Sequence, residues 1–309
     1  MTLRWAAALL SCLGLVALAG CGGSAADGAG SRRDVVAAFY PLQYAVEQIG
    51  GAHVKVTGLT KPGVEPHDIE LTARAVARVA TADAVVYLRG FQNAVDEAVD
   101  SQAKGRGFDV TASAHLDLAA VPDAQESQGP GQHPSRASDP HFWLDPQRYA
   151  AVADAIAAHL SSIDPANAAD YQSRAKAFTA RLSSLDAEFA AGLKDCRSRD
   201  LVTGHAAFGY LAEAYGLHQV GISGLTPESE PSPSALARIA ATVKDEGVRT
   251  IYAETLVSRE VAETLARETG ARLAVLDPLE GLTDESAGHD YFAVMRANLQ
   301  TLRAGQECR

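Results

Sequence analysis

The stretch 164–195, DPANAADYQSRAKAFTARLSSLDAEFAAGLKD, constrains the fold more than any other part of the chain. It opens with Asp then Pro, a helix start in which the aspartate caps and the proline suits the first turn. Tyr171, Ala175, Phe178, Leu182, Leu185, Phe189 and Leu193 then recur at intervals of three and four. That is one apolar stripe on a helix of about 30 residues, roughly 45 Å long at 1.5 Å per residue. No Gly or Pro interrupts it before Gly192. A coiled-coil arm would give the same pattern. Because strand and helix signals alternate on both sides of it, a bridge between two domains is the better reading.

Before the bridge, VVAAFY (35–40), HVKVTGL (53–59), AVVYL (84–88) and GFDVT (107–111) read as buried strands. The segment PHDIELTARAVARVATA between the second and third carries helical spacing, and a further helix is expected over about 147–161. After the bridge, DLVTGH (200–205), HQVGI (218–222), VRTIYAE (248–254) and ARLAVLD (271–277) are strand candidates. Helices are expected at about 206–215, 233–246, 258–269 and 288–304. This alternation predicts an α/β fold of two domains, each with a parallel sheet flanked by helices. The predicted division is an N-terminal α/β domain over 34–163, a rigid backbone helix over 164–196 and a C-terminal α/β domain over 197–309. Ligands of such sheets bind beyond the carboxyl ends of the strands.

The first residues do not read as part of the fold. Arg4 precedes the apolar run WAAALLSCLGLVALA, which is short for a membrane span and reads as an export signal, residues 1–20. The sequence LAGC resembles the bacterial lipobox and implies lipidation of Cys21, with 21–33 a flexible tether to the outer face of the cytoplasmic membrane. Two cysteines then remain, Cys196 and Cys308, an even pair in an exported protein. They are expected to form a disulfide; two buried free thiols are the alternative. The net charge of -11 argues against a nucleic-acid partner.

Of nine histidines, His53, His115, His159, His218 and His289 lie in or at the ends of elements and read as solvated or capping. His133 sits alone in the Pro-, Gly- and Ser-rich loop 121–140, read as a mobile flap. Three others share a setting. His67 stands in KPGVEPHDIE after the second strand. His141 stands in SDPHFWLDP, between two Asp-Pro steps, and His205 closes LVTGH. Asp277 ends LAVLD in the same way. Each alone could be a helix cap. Together they predict a site of three imidazoles and one carboxylate between the domains. Each proline biases its preceding aspartate toward extended backbone, and Phe142 and Trp143 are expected to anchor the loop that aims His141. Glu254, ending TIYAE, is a candidate acceptor for a ring nitrogen.

On these motifs the chain resembles the metal-binding lipoproteins of the cluster A-I type, the substrate-binding components of zinc and manganese ABC importers. EPHD, DPHFWLDP, VTGHAAFGYL and LDPL stand in the family's order. The resemblance implies His67, His141, His205 and Asp277 as ligands and Zn²⁺ as transported cargo. It also implies an ABC permease with its ATPase as partners, and a monomeric, non-enzymatic protein. Manganese-type members tend to carry glutamate at the third position, which here is His205. Imidazole nitrogen suits zinc, while carboxylate-rich sets suit manganese. Rival functions are manganese import, a zinc hydrolase and a surface adhesin. HExxH is absent, and four protein ligands would close the position that hydrolysis needs.

Overall fold

The computed structural model describes residues 32–119, 138–227 and 231–309. The export signal, Cys21, most of the tether, His133 and most of the 121–140 loop lie outside these residues. Two four-stranded sheets organise the chain. In the first, β1 (Arg33–Ala37) pairs with β2 (Val54–Gly58) on one side and β3 (Ala84–Tyr87) on the other, and β4 (Gly107–Asp109) follows β3. In the second, β5 (Asp200–Thr203) lies between β6 (His218–Gly221) and β7 (Thr250–Ala253), and β8 (Arg272–Val275) follows β7. Every pairing is parallel. Both sheets therefore have the same order, and in each the side on which strands are added reverses at the first strand, β1 or β5. Such a reversal opens a crevice at the carboxyl ends of the strands.

The strand runs read from sequence all appear, because each is a short block of β-branched or aromatic residues. Val35, Val36, Val85, Val86, Leu201, Val202, Ile251 and Tyr252 are buried, as parallel strands covered by helices on both faces require. The helices are α1 (Tyr40–Gly50), α2 (Ala73–Thr81), α3 (Asn93–Gln102), α4 (Thr111–Ala114) and α5 (Pro146–Ile163) in the first half. The bridge is α6 (Ala168–Gly192), and α7 (Gly209–Tyr215), α8 (Pro233–Asp245), α9 (Glu260–Thr269) and α10 (Tyr291–Gly305) follow. Among the described residues no helix is long and apolar enough to cross a membrane.

Two expectations need correction. The segment 66–72 is not helical; α2 begins only at Ala73, where Thr72 Oγ1 accepts the Ala75 N–H at 3.2 Å. The residues before it form an irregular loop, which frees His67 from helical geometry. The bridge is also shorter than expected. Pro165–Asn167 form a 3-10 turn, and α6 proper has 25 residues. Its stripe is nevertheless the predicted one: Tyr171, Ala175, Phe178, Leu182, Leu185, Phe189 and Leu193 are all buried. They pack along α5 and meet α1 and α10.

That packing joins the halves. The larger apolar core runs without a break from Val35 and Phe39 through Phe178 and Leu182 to Tyr291, Phe292 and Leu302. A smaller core of Val202, Ile239, Val243, Ile251 and Leu265 closes the far face of the second sheet. The Cys196–Cys308 disulfide then ties the end of α10 to the chain just after α6, across a sequence separation of 112. A crosslink over a loop of that length stabilises by up to ~4–5 kcal/mol through the unfolded chain. The double variant Cys196→Ser/Cys308→Ser should therefore unfold at lower denaturant concentration; an unchanged midpoint would contradict this.

The start of the bridge also carries a pH-dependent contribution. Asp164 accepts the Tyr171 hydroxyl and the Asn167 side-chain amide, each at 2.7 Å. These donors hold its carboxyl below the usual carboxylate range. A depressed folded pKa contributes stability above the unfolded pKa of roughly 3.9 and loses it as pH falls through the folded value. The Asp164→Ala variant should thus melt below the parent at neutral pH, with the gap narrowing below about pH 4. A gap independent of pH would remove the carboxylate from the explanation.

Candidate metal centre

The side chains of the site come from loops, three of them following a strand and one preceding a helix. His67 lies in the loop after β2 and His205 shortly after β5. His141 precedes a 3-10 turn, Phe142–Leu144, that leads into α5. The local sequence fixes each one. Glu65 accepts the His67 N–H through both carboxylate oxygens at 2.9 Å. Gln92, buried, donates to the Pro66 carbonyl at 3.0 Å and to Thr60 Oγ1 at 3.1 Å, pinning the same loop. Asp139 Oδ1 accepts the His141 N–H at 2.9 Å and faces its Nδ1 at 2.7 Å. Glu254 accepts the His205 N–H at 2.7 Å and bonds Nδ1 of the same ring.

The three rings converge. Nε2 of His67 and of His141 each lie 3.0 Å from Glu280 Oε1, Nε2 of His205 lies 3.2 Å from it, and the first two nitrogens are 3.4 Å apart. Among the described residues these four side chains form the single group of metal-ligating type. His141, His205 and Glu280 are fully buried. Phe91 packs edge-on against His67 with ring centroids 4.7 Å apart, and Trp143 packs against His141 at 5.2 Å.

The fourth member is Glu280, where the sequence pointed to Asp277. Asp277 is buried nearby, but its carboxylate is turned into its own loop. Oδ1 accepts the Leu279 N–H at 2.8 Å and Oδ2 accepts the Ser286 hydroxyl at 2.7 Å. Burial pushes its carboxyl up, and these donors oppose that. The strand-end position alone points to Asp277, whereas Glu280 lies in the turn that follows it. LDPLEG does carry the signal, a second acid directly after an Asp-Pro turn.

The electrostatics of the cluster demand a cation. A carboxylate behind Nδ1 accepts, so Nδ1 of His141 and His205 carries the proton and Nε2 presents its lone pair. Lone pairs aimed at a carboxylate oxygen repel unless something positive lies between them. Without a metal, only protons can fill that role. Burial favours neutral imidazole, but Glu254 and Glu280 raise His205 well above its ordinary value, and Asp139 and Glu280 raise His141. His67 is lowered, burial outweighing Glu280. Burial would raise Glu280, yet the three histidines hold it well below the usual carboxylate range. Its Oε2 is buried with no hydrogen-bond partner, a state uncommon in native proteins unless an ion or water meets the atom.

The spacing fits a small tetrahedral ion. Donors 2.0–2.1 Å from zinc at tetrahedral angles stand roughly 3.3 Å from one another. Four of the six gaps here, at 3.0–3.4 Å, match that edge length, and all four donor atoms lie within 4.8 Å of one another.

Comparison with known proteins agrees with this geometry. The model of the ZnuA family, described as zinc-uptake complex component A, periplasmic, matches residues 35–305. The high-affinity zinc uptake system protein ZnuA of Bacillus subtilis is 36% identical over 309 residues, covering 97% of this chain and 97% of that protein. The zinc-binding protein AdcA of Streptococcus pyogenes is 38% identical over 283 residues, 87% of this chain and 55% of AdcA. The chain thus spans little more than half the length of the streptococcal relatives it matches. Among solved structures, the laminin-binding protein Lmb of Streptococcus agalactiae, described as having adhesin and metal-transporting activity, superposes with a TM-score of 0.77. It is 32% identical and covers 89% of this chain and 100% of its own. The Zn(II)-bound ZnuA-like domain of Streptococcus pneumoniae AdcA gives a TM-score of 0.73 at 35% identity, covering 90% of this chain and 100% of that one. With the family model matched over residues 35–305 and a relative covered almost end to end at 36% identity, the chain belongs to the ZnuA family.

Proposed function

We propose that this protein captures Zn²⁺ between its two sheet halves, 34–163 and 197–309, and hands it to an ABC permease driven by its ATPase. His67, His141, His205 and Glu280 are the ligands in this reading. A lipid on Cys21 would hold the monomer at the outer face of the cytoplasmic membrane. The observation that carries the proposal is the convergence of three Nε2 atoms on one oxygen of Glu280, itself buried and otherwise half-unpartnered.

Zinc fits this donor set better than manganese. Three imidazoles and one carboxylate are a borderline-soft set, whereas manganese favours oxygen donors. Four protein donors also leave no open position for an activated water, which separates a carrier from a hydrolase. Asp139 and Glu254 orient two of the rings and raise their basicity, so their contribution to affinity should approach that of a ligand.

Competitive titration at one pH should give zinc tighter than manganese, with zinc raising the melting temperature in proportion to RT ln(1 + [L]/Kd). His205→Ala should weaken zinc by more than the ~10–100-fold that loss of an orienting partner costs. Equal affinities for the two metals, or an unaffected variant, would sink the zinc reading.

Gly209 supplies a separate check on Asp139. A Cβ there would stand 2.4 Å from Asp139 Oδ2. That carboxylate is buried and short, with little room to yield. Gly209→Ala should push it off His141 Nδ1 and weaken zinc about tenfold. Unchanged affinity in a folded variant would show that Asp139 is not needed for orientation.

A further inference from the structure

Glu65, Asp139, Asp145 and Asp277 share one device. Each precedes a proline, and each accepts the backbone N–H of the residue after that proline: His67 and His141 at 2.9 Å, Gln147 and Leu279 at 2.8 Å. Proline has no N–H of its own, so the carboxylate reaches past it to the next donor. In the first two turns the residue so held is a member of the metal cluster. In the Asp277 turn it is Leu279, and the cluster residue, Glu280, comes one position later.

Leu279 explains the offset. Its φ is +58°, a left-handed conformation that a leucine rarely adopts, and its side chain is fully buried. Such a backbone persists only where its surroundings over-determine it. Here the restraints are dense. Asn298, on α10, donates its Nδ2 to the Asp277 carbonyl at 2.7 Å and accepts the Asp277 N–H at 3.0 Å. Trp143 Nε1 donates to the Pro278 carbonyl at 2.8 Å. Ser286 Oγ holds Asp277 Oδ2, leaving Oδ1 fixed against the Leu279 N–H.

We propose that Asp277 is a positioning residue, not a metal ligand: clamped by Ser286, it locks Leu279 in the left-handed turn that aims Glu280 at the three histidines. The proposal rests on the ligand set given under Proposed function. It assigns the acid of this turn the same mechanical task that Glu65 and Asp139 perform for His67 and His141.

Asparagine separates positioning from ligation. Its side-chain oxygen still accepts the Leu279 N–H, but it is a far weaker metal donor than a carboxylate. In competitive zinc titrations of the full chain, Asp277→Ala should lose ~10–100-fold in affinity, whereas Asp277→Asn should stay within several-fold of the parent. The Co²⁺-loaded Ala variant should show weakened d–d absorption, reporting the departure of the Glu280 carboxylate, and the Asn variant the parent spectrum. Ser286→Ala, a less disruptive change, should shift the spectrum in the same direction, with Ser286→Thr restoring it. If Asp277→Asn loses as much as Glu280→Gln, Asp277 is itself a ligand and the proposal is overturned. Parent affinity and spectrum in both Asp277→Ala and Ser286→Ala overturn it too, while leaving the ligand set standing. An unweakened Glu280→Gln would instead bring down the ligand set and the proposal with it.

Discussion

The site depends on carboxylates that grip the backbone of the loops presenting its side chains. A histidine at the end of a strand has a short, rotatable side chain, but its aim is decided by the loop beneath it. Proline fixes its own φ and biases the residue before it toward extended backbone. An acid placed before that proline can then take the amide of the residue after it. Glu65 and Asp139 do this for two members of the cluster, and Asp139 also takes the ring nitrogen of His141. His205 reaches a similar state differently: Glu254, from the adjacent strand's end, takes both its amide and its Nδ1. For His141 and His205 backbone and ring are fixed together by one carboxylate, so little freedom remains to be lost on binding.

Such local grips matter only if the two halves meet in one register. Trp143 performs that joining. Its indole N–H reaches the Pro278 carbonyl in the second half, and its own carbonyl accepts the Tyr291 hydroxyl of α10 at 2.6 Å. Tyr210 on α7 donates to the Asp139 carbonyl at 3.0 Å, and the Arg148 guanidinium lies 4.3 Å from the Tyr210 ring while pairing with Glu213. The bonds of Trp143 and Asp139 join the halves within two residues of His141, and the one to Pro278 within two of Glu280. With the continuous apolar core along α6, they make the relative placement of the halves part of the same packed interior, which responds to strain as a unit.

Much of this was legible in the sequence. The eight strands stood out as short apolar blocks, and the α6 stripe named its buried residues one by one, because both patterns come directly from burial. The three histidines stood out because strand ends and Asp-Pro steps are local features. The failures have a common physical source. Helical spacing in 66–72 reflected partly buried Ile69 and Leu71 packing from a loop, and periodicity does not distinguish that from a helix. The exchange of Asp277 for Glu280 turned on the left-handed backbone at Leu279. A leucine there advertises nothing; the conformation is imposed by Asn298, Ser286 and Trp143, which are distant in sequence from one another.

Charge balance explains why this interior prefers an ion to a void. Glu280 brings one negative charge to the centre, and Asp139 and Glu254 place two more directly behind the rings, all nearly or fully buried. Buried carboxylates without compensation are strongly unfavourable. A divalent cation bound by Glu280 leaves one positive charge at the centre, which the two flanking carboxylates meet through the polarised imidazoles. Apart from a metal, only imidazolium protons can supply comparable compensation here. They would crowd Nε2 atoms of which those of His67 and His141 already stand 3.4 Å apart, where like charges repel. The fold thus makes the metal the least frustrated occupant of its own cleft.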